Sequence, residues 1–159
     1  MTTPDRQLVG VFDNIRSLYN VGSMFRTADA FALEHLYLCG MTGAPTDERL
    51  KSRITKTSLG AEETVPWTHT QNTQDVITQL KADGFTLISL EQTPQAVPLT
   101  ELKMVGDKLA LIVGHEIYGV HTDTLNLADH HVMIPMLGQK ESLNVAVAFG
   151  IAAAQLRFA

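Results

Sequence analysis

Leu109-Ala110-Leu111-Ile112-Val113-Gly114 is an unbroken apolar run closed by a glycine. A strand that is apolar without alternation is buried on both faces, as a central strand of a parallel sheet is. Outward from this run, strands and helices alternate. On its N-terminal side, Phe85 to Leu90 reads as a strand. Thr73 to Ala82 reads as a helix with Val76, Ile77 and Leu80 inward, stopped by Gly84. His35 to Cys39 is a strand ended by Gly40, and Gln7 to Phe12 is another. Asn20 to Leu33 is a helix, with Val21, Met24, Phe25, Ala28 and Phe31 on one face. On the C-terminal side, Thr122 to Leu127 is a short helix that Thr122 or Asp123 caps. His131 to Ile134 is the last strand and Ser142 to Phe158 the last helix.

Two connections interrupt this alternation. Residues 41 to 70 form a long, mostly irregular segment, a length that is usually functional inside a compact domain. Residues 91 to 107 form a second, broken by Pro94 and Pro98. The pattern predicts an α/β fold: a single domain over residues 1 to 159, with a mainly parallel sheet flanked by helices.

Composition excludes several classes. No apolar run reaches the roughly 20 residues of a membrane span. The start, Met1-Thr2-Thr3-Pro4-Asp5-Arg6, lacks the basic and apolar regions of a signal peptide. One cysteine, Cys39, cannot form an internal disulfide, so the expectation is a reduced, cytoplasmic protein. No Gly-x-Gly-x-x-Gly follows the first strand and no lysine phosphate loop is present, which disfavours a dinucleotide or ATP enzyme. Histidines stand at 35, 69, 115, 121, 130 and 131 without metal-ligand spacing, and no metal is expected. Neighbouring His130 and His131 should face opposite ways, one packed and one exposed.

The net charge of −5 argues against an extended nucleic-acid surface. It hides one local cluster: Arg49, Lys51, Arg53 and Lys56. Such a cluster is either a solvated face or a set of phosphate contacts.

Three segments carry chemistry. The first is Asn20-Val21-Gly22-Ser23-Met24-Phe25-Arg26-Thr27-Ala28-Asp29-Ala30-Phe31. Arg26 stands beside the buried stripe and needs a partner. Either it pairs with Asp13 or Asp29, or its planar fork of donors binds a phosphate. Asn20 suits a helix cap, and Gly22 permits close approach. The second is Gly114-His115-Glu116-Ile117-Tyr118-Gly119, at the carboxyl end of the buried strand, where ligands bind in open α/β sheets. The third is Ile134-Pro135-Met136 followed by Ser142-Leu143-Asn144-Val145. Pro135 stops the strand, and Ser142 is placed to cap the last helix.

In this order, and over nearly the whole chain, the three segments resemble the motifs of the TrmH-type branch of the SPOUT RNA methyltransferases. His115 departs from the family pattern, which more often has a small residue or proline there. The resemblance implies a deep trefoil knot, with the C-terminal segment threaded through the loop after the Leu109 strand. It implies S-adenosylmethionine as methyl donor, S-adenosylhomocysteine as product, and no metal. Leu90, Gly114, Ile134, Met136, Ser142 and Leu143 would line the cofactor pocket. Arg26, Asn20, Glu116, Ser142 and Asn144 would form the catalytic set of an RNA 2′-O-ribose methyltransferase. Arg26 would also touch RNA, together with Arg49, Lys51, Arg53 and Lys56.

With no RNA-binding domain appended, a tRNA is the expected substrate, ahead of ribosomal RNA. The last helix is apolar nearly all round, from Leu143 and Val145 through Phe149, Ile151 and Ala154. That surface predicts a homodimer with this helix at or near the interface. Two other readings compete: a non-catalytic RNA-binding or assembly protein of the same fold, and a flavodoxin-type nucleotide module. The second lacks a matching phosphate loop.

Overall fold

The computed structural model describes residues 5 to 103 and 106 to 159. Met1 to Pro4, read above for targeting signals, and Met104 and Val105 of the second connection lie outside the described residues.

In chain order the elements are β1 (Gln7–Asp13), α1 (Leu18–Ala30), β2 (His35–Cys39), α2 (Glu48–Ser58), α3 (Ala61–Thr64) and β3 (Trp67–Thr70). There follow α4 (Thr73–Ala82), β4 (Thr86–Leu90), β5 (Val97–Pro98), a 3-10 turn (Leu99–Glu101) and β6 (Lys108–Gly114). The chain closes with α5 (Thr122–Leu127), β7 (His130–Met133) and α6 (Val145–Phe158). Among the described residues the strands form one sheet in the order β3-β2-β1-β6-β4-β7-β5. Every strand pair runs parallel.

The apolar run that opened the reading is the middle strand of this sheet. Leu109, Leu111 and Val113 face the larger core, with Phe12, Met24, Phe25 and Phe149. Ala110 and Ile112 face the smaller one, with Ile77, Leu80 and Leu87. Burial on both faces explains why no polar residue interrupts the run.

The structure corrects several expectations. Residues 41 to 70 are not mostly irregular: they contain α2, α3 and β3. In α2 only Ile54 and Ser58 are buried, so its apolar periodicity is too thin to see. Its start is nonetheless built by Asp47, whose side chain accepts from the Leu50 amide at 2.9 Å. Asn20 is not a cap, because α1 begins at Leu18 and Ser17 accepts from the Asn20 amide at 3.2 Å. Ser142 is not a cap either. Asn144 holds that position on α6 and accepts from Ala146 at 2.9 Å and Val147 at 3.3 Å. On α5 the cap is His121, whose Nδ1 accepts from the Asp123 amide at 3.2 Å, rather than Thr122 or Asp123. His130 and His131 are both half-buried, not one packed and one exposed. His131 is held on both ring nitrogens, by Thr93 at 2.9 Å and the Leu125 carbonyl at 2.9 Å.

Two contacts fix the helices that flank the large core. Gly22 brings α1 against α2 so closely that a Cβ there would lie 2.3 Å from the Ile54 carbonyl oxygen. Arg157, only 2% exposed, ties the end of α6 to three carbonyls. It donates to Phe31 at 2.8 Å, Arg6 at 2.5 Å and Ala32 at 2.6 Å. A buried guanidinium is tolerated because its donors are satisfied. α6 buries Phe149, Ala152, Ala153 and Leu156 but leaves Val147, Ile151 and Phe158 in solvent. Among the described residues no helix is long and apolar enough to cross a membrane.

Candidate active site

The carboxyl ends of β4, β6 and β7 open into a cleft. Leu90, Gly114, Ile134, Met136, Ser142 and Leu143 all line it, so three distant segments of sequence meet here. Val145 and Ala148, on the first turn of α6, extend the apolar wall. Gly114 is required by packing. A Cβ there would lie 2.3 Å from the Gly119 carbonyl carbon and the Val120 nitrogen, so no larger residue fits behind the cleft wall.

At the mouth of the cleft a chain of hydrogen bonds joins the three motif segments. Glu116 accepts from the Arg16 amide at 2.9 Å and from the Ser17 amide at 3.0 Å. The same carboxylate accepts from the Asn20 side chain at 3.0 Å. Asn20 in turn accepts from the Asn144 side chain at 3.1 Å. Burial pushes the Glu116 carboxyl up. The amides of Ser17 and Arg16 and the Asn20 side chain outweigh that and hold it below the ordinary glutamate value. A carboxylate at the N-terminus of α1 is also favoured by the helix dipole.

Arg26 stands elsewhere. It is exposed and, among the described residues, makes no hydrogen bond or ion pair. The pairing with Asp13 or Asp29 is therefore overturned. Asp13 is buried and accepts from Thr73 Oγ1 at 2.7 Å and the His121 amide at 3.0 Å. Asp29 accepts from Thr64 Oγ1 at 2.9 Å. Arg26 lines a shallow groove between α1 and α2 with Ser23, Thr27, Lys56 and Thr57. Arg49 and Arg53 are exposed on α2, while Lys51 is committed to an ion pair with Glu63. Neither this groove nor the basic cluster lines the cleft.

Glu91 is a site residue that sequence reading passed over. It lines the cleft and accepts from the Val120 amide at 2.9 Å, which holds down the loop carrying Glu116. Its one signal was position, directly after Leu90 at the end of a strand. The Arg16 and Ser17 amides were also missed, since backbone donors leave no trace in residue type. Among the described residues no group of three or more potential metal ligands exists.

The cleft suits a mixed ligand. Its apolar walls, Leu90, Ile134, Met136 and Leu143, fit a planar base, and the carboxylates of Glu91 and Glu116 at its rim fit a cationic group. This is an α/β protein with a cleft at the carboxyl edge of a parallel sheet. The chain belongs to the SpoU rRNA methylase family, whose model matches residues 7–154.

A tRNA (guanosine(18)-2'-O)-methyltransferase of Aquifex aeolicus is 28% identical over 92% of this chain and 66% of its own length. A 23S rRNA (guanosine-2'-O-)-methyltransferase RlmB of Neisseria meningitidis is 30% identical over 94% of this chain and 58% of its own. The AdoMet-bound rRNA methyltransferase structure from Sinorhizobium meliloti superposes with a TM-score of 0.87 at 24% identity. It covers 99% of this chain and 58% of that one. The chain thus spans 53 to 66% of the length of these and other curated relatives it matches.

Proposed function

We propose that this protein is an S-adenosylmethionine-dependent RNA 2′-O-ribose methyltransferase. One observation carries the reading: the six residues of the expected donor pocket share one cleft, and Glu116, Asn20 and Asn144 form a single bonded chain at its mouth. The residues present fit the methyl donor. Leu90, Ile134, Met136 and Leu143 would hold its adenine, with Gly114 and Ser142 beside the rest. When bound, S-adenosylmethionine supplies a methyl group already activated on a sulfonium. No metal is required for that chemistry.

The protein's own contribution is alignment and charge. Glu116 fixes the loop after β6 to the start of α1, so the cleft and the first motif keep one geometry. When the ribose hydroxyl takes the methyl, the carbon–sulfur bond would break to leave a neutral thioether, and the hydroxyl proton would pass to solvent at the open cleft. Arg26 is always cationic and so stabilises the developing alkoxide or holds the adjacent phosphate, rather than removing the proton.

Because Arg26 does not line the cleft of its own subunit, this mechanism needs a homodimer that brings one subunit's Arg26 to the other's cleft. The exposed Val147, Ile151 and Phe158 on α6 supply an apolar face for it. A tRNA is the favoured substrate, ribosomal RNA the second, and the cytoplasm the place of work.

The test is twofold. S-adenosylhomocysteine should raise the melting temperature, since a ligand of the native state shifts unfolding. RNA from a strain lacking the gene should acquire one 2′-O-methyl group with the purified protein, mapped by mass spectrometry. Cofactor binding without transfer to any RNA fraction would favour the non-catalytic reading. No cofactor binding at all would remove the proposal.

A further inference from the structure

The loop after β6 carries an aromatic stack that the proposed mechanism does not use. His115 and Tyr118 lie ring on ring, with centroids 4.8 Å apart and planes 30° from parallel. Tyr118 is 84% exposed and Ile117 is 72% exposed. Among the described residues the Tyr118 hydroxyl bonds nothing. A tyrosine ring open to solvent offers a flat apolar face with a polar tip, the kind of group enriched where a protein meets a partner.

The stack is rigidly mounted. His115 and Gly119 exchange two backbone hydrogen bonds, at 3.0 and 2.8 Å, which close a tight turn. Gly119 takes the left-handed backbone at φ +71°, which this turn requires and which a side chain resists. The His115 Nδ1 accepts from the amides of Ile117 at 3.0 Å and Tyr118 at 3.2 Å, so the imidazole is held by the turn it sits on. Glu91 and Glu116 then pin the turn on either side. One face of the Tyr118 ring is covered by His115, and the ring is otherwise open to solvent. Its neighbours His115, Glu116 and Ile117 line the cleft, while Tyr118 stands just outside it.

We infer that the His115–Tyr118 stack seats a nucleobase of the RNA substrate. This rests on the methyltransferase reading. A ribose delivered to the cleft brings at least one base to its mouth, and this stack is a flat, rigidly mounted aromatic surface there, more open to solvent than the nearby Tyr19. A base is favoured over a phosphate: Arg26 and Lys56 line a separate groove, the exposed Arg16 meets this turn through its backbone amide on Glu116, and the Glu116 carboxylate beside the rings repels an anion. Stacking is tolerant of base identity, because every base has a π-face. The turn therefore positions the nucleotide without itself selecting its sequence.

The experiment compares Tyr118→Ala and Tyr118→Phe with wild type. The probe is unfractionated tRNA from a strain lacking the gene, with affinity measured by filter binding. The expected loss for Tyr118→Ala is roughly 5- to 150-fold in RNA affinity, the range seen for one stacked base. Tyr118→Phe should recover the affinity, since the ring and not the hydroxyl does the seating. S-adenosylhomocysteine affinity and the light-scattering mass should match wild type in both variants. Unchanged RNA affinity in Tyr118→Ala would overturn the inference and leave the methyltransferase reading intact. A fall in mass on Tyr118→Ala would also overturn it, by showing that the ring packs against a second copy. Wild-type protein that binds neither cofactor nor tRNA would remove both.

Discussion

The side chain of Asn144 donates to that of Asn20 at 3.1 Å, although 124 positions separate them. Asn144 also caps α6 with its other atom, its oxygen accepting from Ala146 and Val147. One residue thus does two separable things. Asn144→Ala should destabilise the protein by about 1 kcal/mol, the usual cost of a lost cap, and also lower methyl transfer. Asn144→Asp keeps the cap but cannot donate to Asn20. It should restore the melting temperature and not the rate. Equal recovery of both would show that the bridge to Asn20 is idle.

Glu116 makes stability depend on acid. Its folded pKa lies below the ordinary 4.5, because the amides of Ser17 and Arg16 outweigh its burial. The sign follows: this contribution is fully present above pH 4.5 and fades as pH falls through the lower folded value. Glu116→Gln should cost about 1 kcal/mol at neutral pH, a discounted figure because the group is open to solvent. The gap between variant and wild type should narrow as pH falls below 4.5. Melting curves at several pH values check it, and a constant gap would refute it.

Arg26→Ala should lower the rate of methyl transfer by about 100- to 1000-fold, the scale of losing one transition-state donor. S-adenosylhomocysteine affinity should not change, because Arg26 is absent from the cleft wall. The melting temperature should also hold, since the side chain is exposed and unpaired among the described residues. Wild-type turnover would make Arg26 dispensable.

Val147→Asp with Ile151→Asp places two like charges on the exposed face of α6. Sedimentation should then report a monomer near 17.4 kDa where wild type reports twice that. Transfer should be lost with the dimer, because the cleft and Arg26 would no longer meet. A wild-type protein that is already monomeric would contradict the assembly.

The basic face of α2 should set the salt dependence of RNA binding. Lys51 is tied to Glu63, so the useful triple is Arg49, Arg53 and Lys56, all to Ala. The slope of log affinity against log salt should flatten by roughly 0.7 to 0.9 for each phosphate contact removed. Titrations between low and moderate salt measure it. An unchanged slope would make the cluster a solvated face.

What could be read in advance depended on how strongly burial writes itself into residue type. β6 was plain because a strand covered on both faces leaves no polar position. α2 was hidden because Ile54 is its main buried anchor, and one apolar residue makes no periodicity. Caps misled for a different reason. Ser17 and Asn20, or Ser142 and Asn144, are equally good capping residues a few positions apart, and backbone angles decide between them. The six cleft residues were legible through motif resemblance alone, since Leu90, Met136 and Leu143 look like ordinary core. Glu91 looked like ordinary surface. The knot that the resemblance implies is a property of threading, which neither residue spacing nor strand order expresses.

Gly22 has a consequence beyond packing. With no side chain between them, α1 and α2 are locked at contact distance, and any larger residue would strike the Ile54 carbonyl. Arg26 rides on one helix and Lys56 on the other, and both line one groove, so the two cations are held as on a caliper set to a fixed gap. On the proposed function, an RNA backbone whose bend matches that gap would meet both cations at once. Substrate choice would then rest on curvature, before any base is read.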